Sequence, residues 1–83
     1  GMVLLVDDED TARRPLADRL RELGHTVLEA RDGPEVLRVL DTARPDLLIT
    51  DVGLPRGMNG RQVAEAVRER MPELPVLFIT GYA

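Results

Sequence analysis

Val3-Leu4-Leu5-Val6-Asp7-Asp8-Glu9 is the stretch that decides the fold, and Leu47-Leu48-Ile49-Thr50-Asp51 repeats its plan downstream. Each is an apolar run ended by acids. Such runs read as strands buried on both faces of a parallel sheet, and ligands of these sheets gather beyond the strands' carboxyl ends. Asp7, Asp8 and Asp51 are therefore expected on one rim. Three carboxylates there repel one another unless a cation sits among them, and a hard divalent ion with oxygen ligands, Mg²⁺ first, is the natural neutraliser.

Working outward, residues 2–6 read as the first strand, and apolar residues at 12, 16, 20 and 23 mark the inward stripe of a helix closed by Gly24. Pro15 interrupts that helix unless it starts at about Thr11 or bends near the proline. Residues 26–30 are of mixed polarity, suited to a sheet edge, and Asp32-Gly33-Pro34-Glu35 opens a second helix with a capping box. Val36, Leu37, Leu40 and Ala43 give its buried stripe, and Pro45 prevents its continuation. Strand 47–50 follows. A loop with Pro55, Gly57 and Gly60 leads to a helix capped by Asn59 and Gln62, with Val63, Ala66 and Val67 inward, running to about Arg70. Pro72 and Pro75 precede a last strand, 76–79. The alternation βαβαβαβ implies an α/β fold: a doubly wound parallel sheet with helices on both faces.

At 83 residues the chain is expected to be one domain, residues 1–83, and Gly1 reads as an addition before a start methionine. Hydrophobic residues make up 43% and aromatics 2%, so the core is aliphatic. A net charge of -4 argues against nucleic acid or an anionic membrane surface as the main partner. No apolar run approaches the ~18 residues of a membrane span. The absence of cysteine fits a reducing compartment and excludes a thiol nucleophile, so a soluble cytoplasmic protein is expected. His25 is the only histidine and reads as a solvated surface residue, and the arginines read mostly as exposed helix faces. All 11 basic residues are arginine, with no lysine.

Strand, Asp-Asp, helix, then strand, Asp, Gly-containing loop, then strand, Thr-Gly resembles the receiver domain of two-component response regulators. The carrying residues are 3–9, Asp51 with Leu54-Pro55 and Asn59-Gly60, and Pro75 to Ala83. The last two segments are most similar to receivers fused to hybrid sensor histidine kinases. The resemblance implies a flavodoxin-like strand order of 2-1-3-4 here, the fifth strand and last two helices of a full receiver being absent. It implies that Asp51 is the phosphoacceptor, that Asp7, Asp8, Asp51 and the Gly53 carbonyl hold Mg²⁺, that Thr80 donates to a phosphoryl oxygen, and that the amides of Gly53 and Gly81 complete the phosphate-binding cradle. The phosphodonor would be a sensor histidine kinase or a phosphotransfer protein. Tyr82 would report the phosphorylated state to a partner.

Each piece alone has a plainer explanation: Asp7 and Asp8 as helix caps, Asp51 as a loop acid, Thr80 as a structural strand end. Their common rim joins them. The chain departs from the receiver pattern in a loop after Asp51 that is one residue longer than usual, and in stopping after the fourth strand, short of the family's phosphate-pairing lysine. Phosphoryl acceptance is therefore expected to be impaired, and the apolar strand 76–79 is expected to form an open edge through which the chain dimerises. Two other functions stand beside a phosphorelay receiver, which is not itself an enzyme. One is a receiver-like interaction and dimerisation module that takes no phosphate. The other is an aspartyl-phosphate hydrolase, disfavoured because Gly53 stands where its second acid would be.

Overall fold

The computed structural model describes residues 1–54 and 57–79. Among them the elements follow as β1 (Met2–Val6), α1 (Asp10–Glu22), β2 (Thr26–Ala30), α2 (Gly33–Leu40), β3 (Leu47–Asp51), α3 (Gly60–Arg70) and β4 (Val76–Ile79). The strands make one parallel sheet in the order β2-β1-β3-β4. The expected doubly wound α/β order is therefore present.

The alternation of side chains along β1 explains why its run is apolar throughout. Leu4 and Val6 face Val36, Leu40, Val63 and Val67 of α2 and α3, whereas Val3 and Leu5 face Ala17 of α1. Leu4, Leu5, Val6 and Leu48 are fully buried, and each such side chain stabilises the fold by roughly 1.5–3 kcal/mol relative to exposure. The edges are different. β2 lies at one edge, as its mixed polarity foretold, and β4 at the other leaves Leu77 50% and Phe78 39% exposed.

Helix α1 begins at Asp10 with Glu9 as its N-cap, one residue before the expected start, so Pro15 lies inside the helix. The reason is at its first turn: the Asp7 carboxylate accepts from the Glu9 N–H at 2.9 Å, and Asp10 is tied to Arg13. These contacts fix the start at the cost of the one backbone bond that Pro15 cannot donate. The helix ends as expected at Gly24, where φ is 98°. The Gly24 N–H donates to the Arg21 carbonyl at 3.0 Å and the His25 N–H to that of Leu20 at 3.1 Å, a Schellman closure. His25 itself is exposed, as expected.

Three details of the buried stripes differ from expectation. Leu23 is 61% exposed, because the face of α1 that meets the sheet runs through Arg13, Leu16, Ala17 and Leu20. In α3, Ala64 is buried and Ala66 only half-buried, since Gly60, Val63, Ala64 and Val67 share the inward face. Helix α2 stops at Leu40, so Ala43 lies beyond it, half-buried. Both predicted N-caps are present. Asn59 and Gln62 form a reciprocal box with both bonds at 2.9 Å. Asp32 accepts from the Glu35 N–H at 2.9 Å, but the Glu35 side chain accepts from the N–H of Arg31 rather than of Asp32.

Candidate metal centre

Because β1 and β3 are parallel neighbours with Val6 opposite Thr50, the next residues, Asp7 just past β1 and Asp51 at the end of β3, stand side by side on the carboxyl rim of the sheet. Asp8 follows in the turn to α1. One carboxylate oxygen from each of Asp7, Asp8 and Asp51 lies within 4.8 Å of the others. Asp7 is buried, and Asp8 and Asp51 are half-buried. Strand register brings Asp7 and Asp51 together, and the turn into α1 adds Asp8.

Local bonds orient it. Asp7 Oδ1 accepts the Glu9 N–H at 2.9 Å, and Asp51 Oδ1 accepts the Gly53 N–H at 3.1 Å. The Gly53 amide, expected beside the acceptor, therefore already lies on the Asp51 carboxylate. Burial pushes the Asp7 carboxyl above its usual range; the Glu9 N–H pulls it back, the charges of Asp51 and Asp8 add to the rise, and Arg13 opposes it. The rise comes first from burial, and the two neighbouring carboxylates add to it, as expected where three acids gather without a positive charge among them. Three hard oxygen donors in this arrangement fit a divalent ion of the Mg²⁺ type. Thr80, Gly81 and Tyr82, expected at the end of β4, lie outside the described residues.

The floor of the site is set by α3. The Gly60 N–H donates to the Val52 carbonyl at 3.0 Å, and a Cβ on Gly60 would collide with the Asp51 carbonyl oxygen. The Asn59 cap holds the helix at this close approach. Sequence reasoning missed Arg13, which is 4% exposed. Its Nη1 donates to the Asp7 carbonyl at 2.8 Å, its Nε to Glu29 Oε1 at 2.8 Å and its Nη2 to Asp10 Oδ1 at 2.7 Å. The signal was its place at i, i+3, i+4 and i+7 with Leu16, Ala17 and Leu20, an inward face that no unpaired charge occupies. Burial lowers the Arg13 pKa, but Glu29 and Asp10 more than reverse this; burial likewise raises Glu29, and Arg13 with Arg21 brings it below its usual range.

Comparison with known proteins agrees with this geometry. Residues 3–83 match the response regulator receiver domain family. The chain is 44% identical over 84 residues to the chemotaxis protein CheY of Pseudomonas aeruginosa, covering 98% of this chain and 67% of that protein. It is 38% identical to the sensor histidine kinase RcsC of Escherichia coli, covering 99% of this chain but 8% of that protein. Among solved structures, the response regulator TrrA of Thermotoga maritima, in complex with Mg²⁺-BeF, superposes with a TM-score of 0.88 at 32% identity, covering 99% of this chain and 70% of that one. No helix among the described residues is long and apolar enough to cross a membrane. The chain belongs to the response regulator receiver domain family of two-component signalling systems.

Proposed function

We propose that Asp51 accepts a phosphoryl group from the phosphohistidine of a sensor histidine kinase or phosphotransfer protein. The observation that carries this reading is the cluster of Asp7, Asp8 and Asp51 at the carboxyl ends of adjacent strands, with ligand oxygens within 4.8 Å of one another. An Asp51 oxygen attacks phosphorus as the phosphorus–nitrogen bond to the histidine breaks, and the imidazole keeps the bonding electron pair. The product is an acyl phosphate on Asp51. Asp7, Asp8, Asp51 and the Gly53 carbonyl would hold Mg²⁺, which when bound neutralises charge on the carboxylates and on the phosphoryl oxygens.

The chain's own residues orient the acceptor. The Gly53 N–H, 3.1 Å from Asp51 Oδ1, fixes one carboxylate oxygen and leaves the other as nucleophile. By family resemblance, Thr80 and the Gly81 amide meet the phosphoryl oxygens. These 83 residues contain no lysine, so no ammonium among them meets the same charge, and acceptance by this chain is slow. We read residues 1–83 as one signalling domain of the cytoplasm rather than an enzyme, with neither nucleic acid nor membrane as its partner.

Incubation with Mg²⁺ and a small-molecule phosphodonor, followed by mass mapping, tests the reading. Slow, partial labelling on Asp51 that a chelator abolishes is expected. Label on another residue, or none at saturating donor, would contradict it, and the second result would favour an interaction module that takes no phosphate. Rapid stoichiometric labelling of Asp51 would instead show that lysine is dispensable.

The β4 edge supports a second copy of the chain as partner. Leu77 and Phe78 are exposed on a strand with one free edge among the described residues, which is a template for strand pairing. Light scattering is expected to show a homodimer at high concentration, and a strictly monomeric mass would refute it.

A further inference from the structure

We propose that Arg13 is a positioning residue of the metal centre, holding the turn between β1 and α1 so that Asp7 and Asp8 meet Asp51 in the geometry a divalent cation needs. The inference rests on the reading of these carboxylates as a cation site. Arg13 is 4% exposed and spends its fork on three partners in three directions. One is the main-chain carbonyl of Asp7, at 2.8 Å in a buried bond. The others are Glu29 on β2, at 2.8 Å, and Asp10 in the first turn of α1, at 2.7 Å. Glu29 is held in turn by Arg21 at 3.2 Å. On its other side, the Asp7 N–H donates to the Ala30 carbonyl at 3.1 Å. The main chain of Asp7 is therefore held at both its N–H and its carbonyl, while one of its carboxylate oxygens lies in the cluster.

Charge and geometry make opposite forecasts, which is what renders the proposal testable. Arg13 is a cation close to a cation site, and it neutralises Glu29 and Asp10. Removing it would make the surroundings more negative, so on charge alone Mg²⁺ would bind more tightly. Removing it also frees the turn, and loss of an outer partner that orients metal ligands typically weakens binding about 10- to 100-fold. We expect geometry to win. Lysine cannot reproduce the role, because its ammonium is a point charge and cannot span three divergent acceptors.

Mg²⁺ titration by calorimetry, at a temperature where far-UV circular dichroism shows each protein folded, decides the matter. Wild type is expected to bind one Mg²⁺, and Arg13→Met and Arg13→Lys to bind it roughly tenfold more weakly. A merely structural role would lower melting temperature without changing the affinity of the folded protein. Unchanged or tighter binding by Arg13→Met overturns the proposal, as does wild-type affinity in Arg13→Lys, which would show that the three-way guanidinium fork is not what holds the turn. If Arg13→Met does not fold, Glu29→Gln serves: it weakens one arm of the clamp and is expected to lower affinity several-fold, unchanged affinity being the overturning result. If wild type binds no Mg²⁺, the underlying site reading falls with the proposal. If wild type binds and the Arg13 and Glu29 variants match it, only the positioning role falls.

Discussion

Gly60→Val is expected to lower stability by about 3 kcal/mol or more, as a side chain is forced into fully packed surroundings. The Cβ would collide with the Asp51 carbonyl oxygen and stand 2.8 Å from the Val52 Cα and 2.9 Å from the Asp51 carbonyl carbon. All three are backbone atoms, so no rotamer change relieves the clash. The need here is for space, since Gly60 does not have a positive φ. Gly24 is the opposite case: a Cβ there meets nothing within 4 Å, but φ is 98°, and Gly24→Ala costs about 1–2 kcal/mol through conformation alone. Urea denaturation followed by circular dichroism ranks the two. A Gly60→Val protein no less stable than Gly24→Ala would show that α3 does not rest on the Asp51 backbone as described. The consequence reaches the proposed function, because the atoms that must move belong to Asp51 and its neighbour Val52.

Removing a carboxylate from the cluster is expected to stabilise the metal-free chain, the reverse of the usual outcome for substitution of a buried residue. Unit charges ~5 Å apart repel by roughly 3 kcal/mol at an effective dielectric constant of about 20. Solvent around the half-buried partners screens this, leaving a gain of about 1–2 kcal/mol for Asp7→Asn at neutral pH. An asparagine oxygen can still accept the Glu9 N–H, so the local bond survives. The pH dependence follows from the direction of the shift. Asp7 titrates above its ordinary 3.8 in the folded chain, so the folded state holds its proton more tightly than the unfolded one, and the charge destabilises the fold increasingly as pH rises through that interval. The advantage of Asp7→Asn is therefore complete at neutral pH and gone below about pH 4. Glu29 and Asp10, lowered by their arginine partners, act in the opposite sense and lose their contribution in acid, equally in both proteins. Thermal melts of wild type and Asp7→Asn across pH, in chelator, check this. Destabilisation at pH 7 would mean that Asp7 is not repelled by its neighbours. Asp51→Asn is expected to act non-additively with Asp7→Asn, because each relieves the same repulsion.

Much of this was legible in the chain because local signals and global fold agree. The doubly apolar runs of β1 and β3, the turns of Asp32 and Asn59, and Gly24 each specify their element without tertiary help, and parallel pairing then carries Asp7 and Asp51 together. What was not legible depended on partners distant in sequence. Leu23 looked like part of the α1 stripe by spacing, but the helix is rotated so that Arg13 rather than Leu23 meets the sheet. Arg13 can be buried only because Glu29, sixteen residues on in β2, comes within 2.8 Å, a contact that periodicity cannot reveal. The start of α1 shifted for a related reason: side chains of Asp7 and Asp10 fixed the first turn, and this outweighed the preference of Pro15 for a helix terminus. Ala64 displaced Ala66 from the core because the close approach of Gly60 to β3 sets the rotation of α3.

The central claim, that Asp7, Asp8 and Asp51 act as one divalent-cation site around the acceptor, is tested most directly by calorimetric titration of the chain with Mg²⁺ beside Asp8→Asn and Asp51→Asn. One Mg²⁺ per chain is expected for wild type, with each substitution weakening binding at least about tenfold, or ~1.4 kcal/mol, while the fold is retained. Binding by both variants as tight as that of wild type, or no binding by wild type at millimolar Mg²⁺, would contradict it.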